Sequence, residues 1–184
     1  SLSDGVFTVT ERVARHESLT RGRQNHMRER ILPRHAHAQP ALPGPSDMDR
    51  PLSAEGLAEA EAAGRWLRDK QLVPDCVLCS PARRTRETLE AVLATIGYVD
   101  QRLVPAIYEA TPGTLAALLD EDRDSTRLML VGHNPGLERL TALLHTGQTG
   151  EYRGMPPAGI AVLNLPTGAA VEPAAAELSA FWWP

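Results

Sequence analysis

Lysine is almost missing from this chain: Lys70 stands alone among 19 strong cations, and every other one is arginine. With the abundance of Ala, Leu and Pro, that bias belongs to composition and by itself carries no function. No excess of positive charge exists either. The formal net charge is −4, so attraction of the whole protein to nucleic acid or to an anionic lipid surface is not indicated. No apolar run approaches the length of a membrane span. Residues 1–27 lack the apolar core of a signal peptide, being polar, charged and broken by Gly22, so a cytoplasmic protein is expected. Cysteine is scarce. Cys76 and Cys79 make a Cys-x-x-Cys spacing, but Asp75 to Ser80 reads as a strand, where residues three apart face opposite ways. A redox pair needs that spacing at a helix start, so both read as small buried hydrophobes.

With 184 residues the chain has room for one domain with a proper core and not for two large ones. Residues 1–27 show no amphipathic period and read as a flexible extension. Their arginines, Arg12, Arg15, Arg21 and Arg23, form a basic arm in solvent. The folded unit is expected over 28–184. Ile31-Leu32-Pro33 marks a first strand, with Pro33 an awkward member because it cannot donate to a ladder. Residues 36–49 form a Pro- and Gly-rich loop. Ser53 then caps a helix to about Lys70, with Glu55 suiting its dipole. Asp75 to Cys79 is a strand, and a helix from Pro81 to about Ile96 follows. A short strand at Leu103, a helix from Thr114 to Glu121, an apolar strand from Arg127 to Val131 and a helix to about His145 come next. Strands at Ile160 to Leu165 and Leu178 to Trp183 close the chain. The alternation gives an α/β class: a three-layer sandwich with a central, mainly parallel sheet flanked by helices. Such sheets bind ligands beyond the carboxyl ends of their strands, where Arg34-His35, Ser80 to Arg84 and His133 would all fall.

Those residues suit phosphoryl chemistry. Arginine forks neutralise the outer oxygens of a phosphoryl group, and Arg34 and Arg84 are the candidates. A neutral imidazole is a nucleophile at neutral pH and can leave again, which suits His35. Its other ring nitrogen needs an acceptor, and a main-chain carbonyl is expected. His133 would donate to the phosphoryl oxygens as charge shifts. Glu109 could protonate an alkoxide leaving group, although a surface carboxylate is nearly as good a reading. No metal and no cofactor are required. Ser80 looks nucleophile-like but is read as a helix cap. Asp49 and Arg50 are read either as an ion pair ordering the loop or as groove residues. The His-x-His of His35-Ala36-His37 resembles the opening of a metal-dependent amidohydrolase site, but such sites need a barrel of roughly 250 residues.

Four elements together resemble the histidine phosphatase (phosphoglycerate-mutase-like) superfamily, and within it the SixA-type phosphohistidine phosphatases. They are Arg34-His35, Asp49-Arg50-Pro51-Leu52-Ser53, Cys79-Ser80-Pro81-Ala82-Arg83-Arg84 and Val131-Gly132-His133-Asn134-Pro135-Gly136. The resemblance implies that His35 is the phosphorylated histidine. It makes Arg34 and Arg84 the pocket arginines, His133 the second histidine and Glu109, more loosely, the acid. It also implies a short chain with an open site, acting on a phosphorylated protein (a phosphohistidine, in a signalling relay) or on a small phosphate ester. One departure stands out: the family has Arg-His-Gly, and here Ala36 takes the third place. Glycine there lets the backbone approach phosphate or adopt angles a Cβ resists. A phosphate-binding pseudophosphatase is therefore an alternative reading.

Overall fold

The structure, a computed structural model, describes residues 27–150 and 154–184. The extension expected over 1–27 lies outside the described residues except for Met27, which opens the first strand.

In chain order the elements are β1 (Met27–Pro33), a 3-10 turn (Asp47–Asp49), α1 (Ala54–Asp69), β2 (Cys76–Cys79), α2 (Arg83–Ile96) and β3 (Asp100–Leu103). A second 3-10 turn (Pro105–Ile107), α3 (Pro112–Glu121), β4 (Arg127–Val131), α4 (Gly136–Thr146), β5 (Ile160–Pro166) and β6 (Glu177–Trp182) follow. Local chemistry sets several of these bounds. Ser53 Oγ accepts from Gly56 N–H at 3.0 Å and starts α1. Thr111 Oγ1 accepts from Thr114 N–H at 3.2 Å and starts α3, with Pro112 in its first turn.

The six strands form one sheet in the order β3-β2-β4-β1-β5-β6. β3, β2, β4 and β1 pair in parallel, while β5 runs against both β1 and β6. The sheet is therefore mixed, with only β5 reversed. Pro33 closes β1 and contributes its carbonyl, which accepts from Gly132 N–H at 3.2 Å. Its missing donor thus falls at the strand's end.

Alternation along the strands builds two cores. Leu128 and Leu130 of β4, with Leu32, Leu163 and Leu165, meet Leu115 and Leu119 of α3 and Leu137, Leu140 and Leu144 of α4. Met129 and Val131, with Ile31, Val77 and Val162, meet Ala63 and Leu67 of α1 and Leu89 and Val92 of α2. Helices thus cover both faces. Cys76 packs against the first core and Cys79 lies in the second, so the two sulfurs face opposite ways as expected. At the end of the sheet Trp182 stacks on Trp66, with ring centroids 5.4 Å apart, while Trp183 is exposed. Among the described residues, no helix is long and apolar enough to cross a membrane.

Candidate active site

The carboxyl ends of neighbouring strands β2, β4 and β1 release the chain at Ser80, Gly132 and Arg34, so their loops share one crevice. The loop after β1 is pinned on both sides. Arg34 N–H donates to Gly159 O, His35 N–H to Gly132 O, and His35 O accepts from Ala158 N–H. The ring of His35 is buried, and its Nδ1 lies 2.7 Å from Ala36 O. A carbonyl can only accept, so Nδ1 carries the hydrogen and Nε2 keeps its lone pair. Burial, with the nearby Arg84 and Arg34 acting the same way, pushes the His35 pKa down to about 4. The ring is neutral at pH 7.

Ala36 is fully buried, and its methyl packs among Leu52, Ala60 and Ala158. Its backbone is not among those in the left-handed region, so no glycine is demanded by its φ. Its N–H donates to Thr88 Oγ1 at 3.0 Å, and that hydroxyl donates to Arg84 O at 2.7 Å. One threonine thereby ties the His35 loop to the helix carrying Arg84. Gly56 has a related duty: a Cβ there would lie 2.0 Å from His37 O, so α1 can approach this loop only with glycine at that place.

Both expected arginines point inward. Arg34 Nη1 donates to Met155 O at 2.8 Å, and its buried Nε has no partner among the described residues. Arg84 is buried, whereas Arg83 pairs with Glu87 at 3.5 Å and Arg86 donates to Pro81 O, both exposed. Of the three, Arg84 alone is buried. The terminal nitrogens of Arg84 are taken by Asp47: Nη1 donates to its carbonyl at 2.8 Å and Nη2 to Oδ2 at 3.0 Å.

The ring centroid of His133 lies 5.4 Å from that of His35 and 5.5 Å from that of Tyr108, the last pair T-shaped. Its Nε2 is 2.8 Å from Ser80 Oγ, while its buried Nδ1 has no partner among the described residues. Burial, then Arg84, pushes the His133 pKa down to about 3. Ser80 is therefore not the helix cap expected from the sequence. α2 begins later, at Arg83, with Ala82 as its cap, and the Ser80 hydroxyl holds the second histidine instead. Next along the chain, Asn134 Nδ2 donates to Met155 O at 2.9 Å, the same carbonyl that Arg34 uses.

Glu109 is exposed, with φ of 55°. It lies in the wall of a cavity of about 420 Å³ shared with Asp47, Arg84, Tyr108 and His133. Gly136 lets α4 close up beneath it, since a Cβ there would meet Ala110 O at 2.7 Å. Asp47 escaped the sequence reading. Its carboxylate accepts from Tyr108 O–H at 2.6 Å and from Arg84. The Tyr108 bond, then Arg84, draws its pKa down to about 2, so it is anionic at neutral pH. Arg50 pairs with Asp47 at 3.2 Å and not with Asp49, which accepts instead from Ser46 Oγ. His37 turns to Ser53 Oγ at 2.7 Å. Among the described residues no group of three or more His, Cys, Asp or Glu is arranged to hold a metal ion.

The crevice thus joins a free imidazole nitrogen, a second imidazole and two inward-facing guanidinium groups, a set suited to a tetrahedral oxyanion. A sequence profile of the histidine phosphatase superfamily (branch 1) matches residues 31–136, the span from β1 to the start of α4. The chain belongs to the histidine phosphatase superfamily. A relative from Mycobacterium tuberculosis, itself uncharacterised, is 36% identical over 160 residues, covering 80% of this chain and 98% of the relative. The phosphohistidine phosphatase SixA of Escherichia coli is 29% identical over 119 residues, covering 61% of this chain and 73% of that protein. Among solved structures, a proposed phosphohistidine phosphatase SixA from Agrobacterium tumefaciens superposes with a TM-score of 0.74 at 31% identity, covering 85% of this chain and 98% of that one. A protein histidine phosphatase SixA complexed with tungstate shares the fold at a TM-score of 0.72 and 24% identity, covering 85% and 97%. Membership of the histidine phosphatase superfamily and these SixA-type neighbours support phosphatase function.

Proposed function

We propose that residues 28–184 form a phosphatase that takes the phosphoryl group onto Nε2 of His35 and then gives it to water, with protein phosphohistidine as substrate. The observation that carries this reading is the state of His35. Its Nδ1–H is committed to Ala36 O, so its one lone pair sits on Nε2 and is uncharged at pH 7. Attack in line on phosphorus forms the P–N bond as the leaving group departs with its electron pair. Arg34 and Arg84 neutralise the phosphoryl oxygens, and His133 donates to them as charge moves. Water then attacks the phosphorus of phospho-His35 and returns the neutral imidazole. The charge is carried by guanidinium groups, so the reaction needs no metal.

The phosphohistidine assignment is supported by the likeness to SixA-type proteins and by an imidazole leaving group needing less help from an acid. A second reading, a phosphatase of small esters, is favoured by Glu109 in the cavity wall, where it could protonate an alkoxide. The buried seat of the Ala36 methyl argues against the pseudophosphatase, because the residue fits without a strained backbone.

The test is phosphate release from a phosphohistidine-bearing protein in EDTA, beside an aryl phosphate, with His35→Ala as control. Turnover in EDTA that disappears in the variant is expected, with the phosphoprotein preferred. Turnover that survives His35→Ala would overturn the mechanism, and an aryl preference would transfer the reading to small esters.

A further inference from the structure

Asp47 is a surplus anion in a site suited to an anion. Its Oδ2 accepts from Arg84 Nη2 and Tyr108 O–H, its Oδ1 from Arg50, and its carbonyl from Arg84 Nη1. It stands between two openings, one of about 420 Å³ over Arg84 and His133 and one of about 360 Å³ along residues 39–51. The Asp47 side chain is 45% exposed and rides on a single 3-10 turn, so it can yield Arg84 to a phosphoryl group without disturbing the core.

The Asp47 carbonyl holds Arg84 Nη1, so a displaced carboxylate would stay beside a phosphoryl group bound at Arg84. It has no proton to give at neutral pH, so it cannot assist an alkoxide, and it repels a second anion. A phosphorylated imidazole differs. Its far ring nitrogen can carry an N–H, and the carboxylate accepts from it. That proton decides the chemistry: with it, the ring departs as neutral imidazole; without it, the ring would depart as an imidazolide.

We propose that Asp47 is a specificity-determining residue, selecting a protonated imidazole leaving group over an oxygen leaving group. The step balances. The bond from phosphorus to the substrate nitrogen breaks and its electron pair stays on that nitrogen. The bond from phosphorus to His35 Nε2 forms. The substrate's other N–H stays in place, facing Asp47, and His35 keeps its Nδ1–H on Ala36 O. The inference rests on the phosphohistidine reading and adds to it the residue that enforces the choice.

The experiment compares kcat/KM of wild type, Asp47→Asn and Asp47→Ala on a phosphohistidine-bearing protein and on an aryl phosphate, with inhibition by inorganic phosphate alongside. Removing the charge is expected to lower the phosphohistidine rate at least tenfold. The aryl rate should hold or rise, and inorganic phosphate should inhibit at lower concentration because Arg84 Nη2 is released from the carboxylate. Asp47→Glu, which restores the charge, should recover much of the preference. Two variants keep a folded, uncharged protein available. Equal changes in the two rates would overturn the inference while leaving the phosphohistidine reading intact. Absence of wild-type turnover on the phosphoprotein would remove that reading, and the inference with it.

Discussion

Replacing Thr88 by valine keeps the shape of a fully enclosed side chain and removes one hydroxyl. That hydroxyl accepts from Ala36 N–H at 3.0 Å and donates to Arg84 O at 2.7 Å. The Arg84 carbonyl keeps its helical partner inside α2. The Ala36 N–H has no replacement and becomes a buried donor without an acceptor. Such an orphan costs about 1–3 kcal/mol, which for a domain of this size lowers Tm by about 2–12 °C. The rate should suffer separately. Ala36 O orients His35 Nδ1, and a nucleophile misplaced by up to about 1 Å loses up to roughly 100-fold in kcat. Thr88→Ser is the control: it keeps the hydroxyl and loses a buried methyl, worth about 1 kcal/mol. Both variants should melt early, and only valine should lose the rate. Equal kcat in the two, or a valine variant melting with the wild type, would refute the idea that this hydroxyl positions the nucleophile.

Ser80→Ala removes the partner of His133 Nε2 and should lower kcat roughly 5–10-fold, the worth of one positioning bond; an unchanged kcat in steady-state assays would count against that role. In a pH series followed by NMR, the His35 ring should titrate near 4 and the His133 ring near 3, both below the ordinary 6.5. Below 6.5 the unfolded chain binds more protons than the folded one, so stability should fall as pH drops from about 6.5 towards 4 and then 3, and recover on returning to neutral. Denaturant midpoints across that window check the sign.

Local signals carried most of the elements because β4 and the cap at Ser53 depend on neighbours in the chain. Arg34, His35, Arg84 and His133 were legible as residue types suited to phosphate, and the sheet brings them to one end. What stayed hidden depends on distant partners. Asp47 lay in a Pro-rich loop with nothing in its spacing to join it to Arg84, 37 positions away. Ser80 carried the pattern of a cap, and only the late start of α2 and the approach of His133 give its hydroxyl another use. The worry over Ala36 came from residue type alone, whereas its surroundings, contributed by Leu52, Ala60 and Ala158, decide how a methyl is received.

That small enclosure around Ala36 has a consequence for how relatives of this chain vary. Four side chains, three of them single methyls, share one closed volume against the loop of the nucleophile. A relative with glycine at the place of Ala36 leaves a methyl's worth of space, which a bulkier neighbour at the place of Ala60, Ala158 or Leu52 can fill. The four positions should therefore drift together at constant total volume. A sequence pattern that insists on glycine after Arg-His will pass over members, such as this chain, whose added methyl is received by small side chains on the other side of the wall.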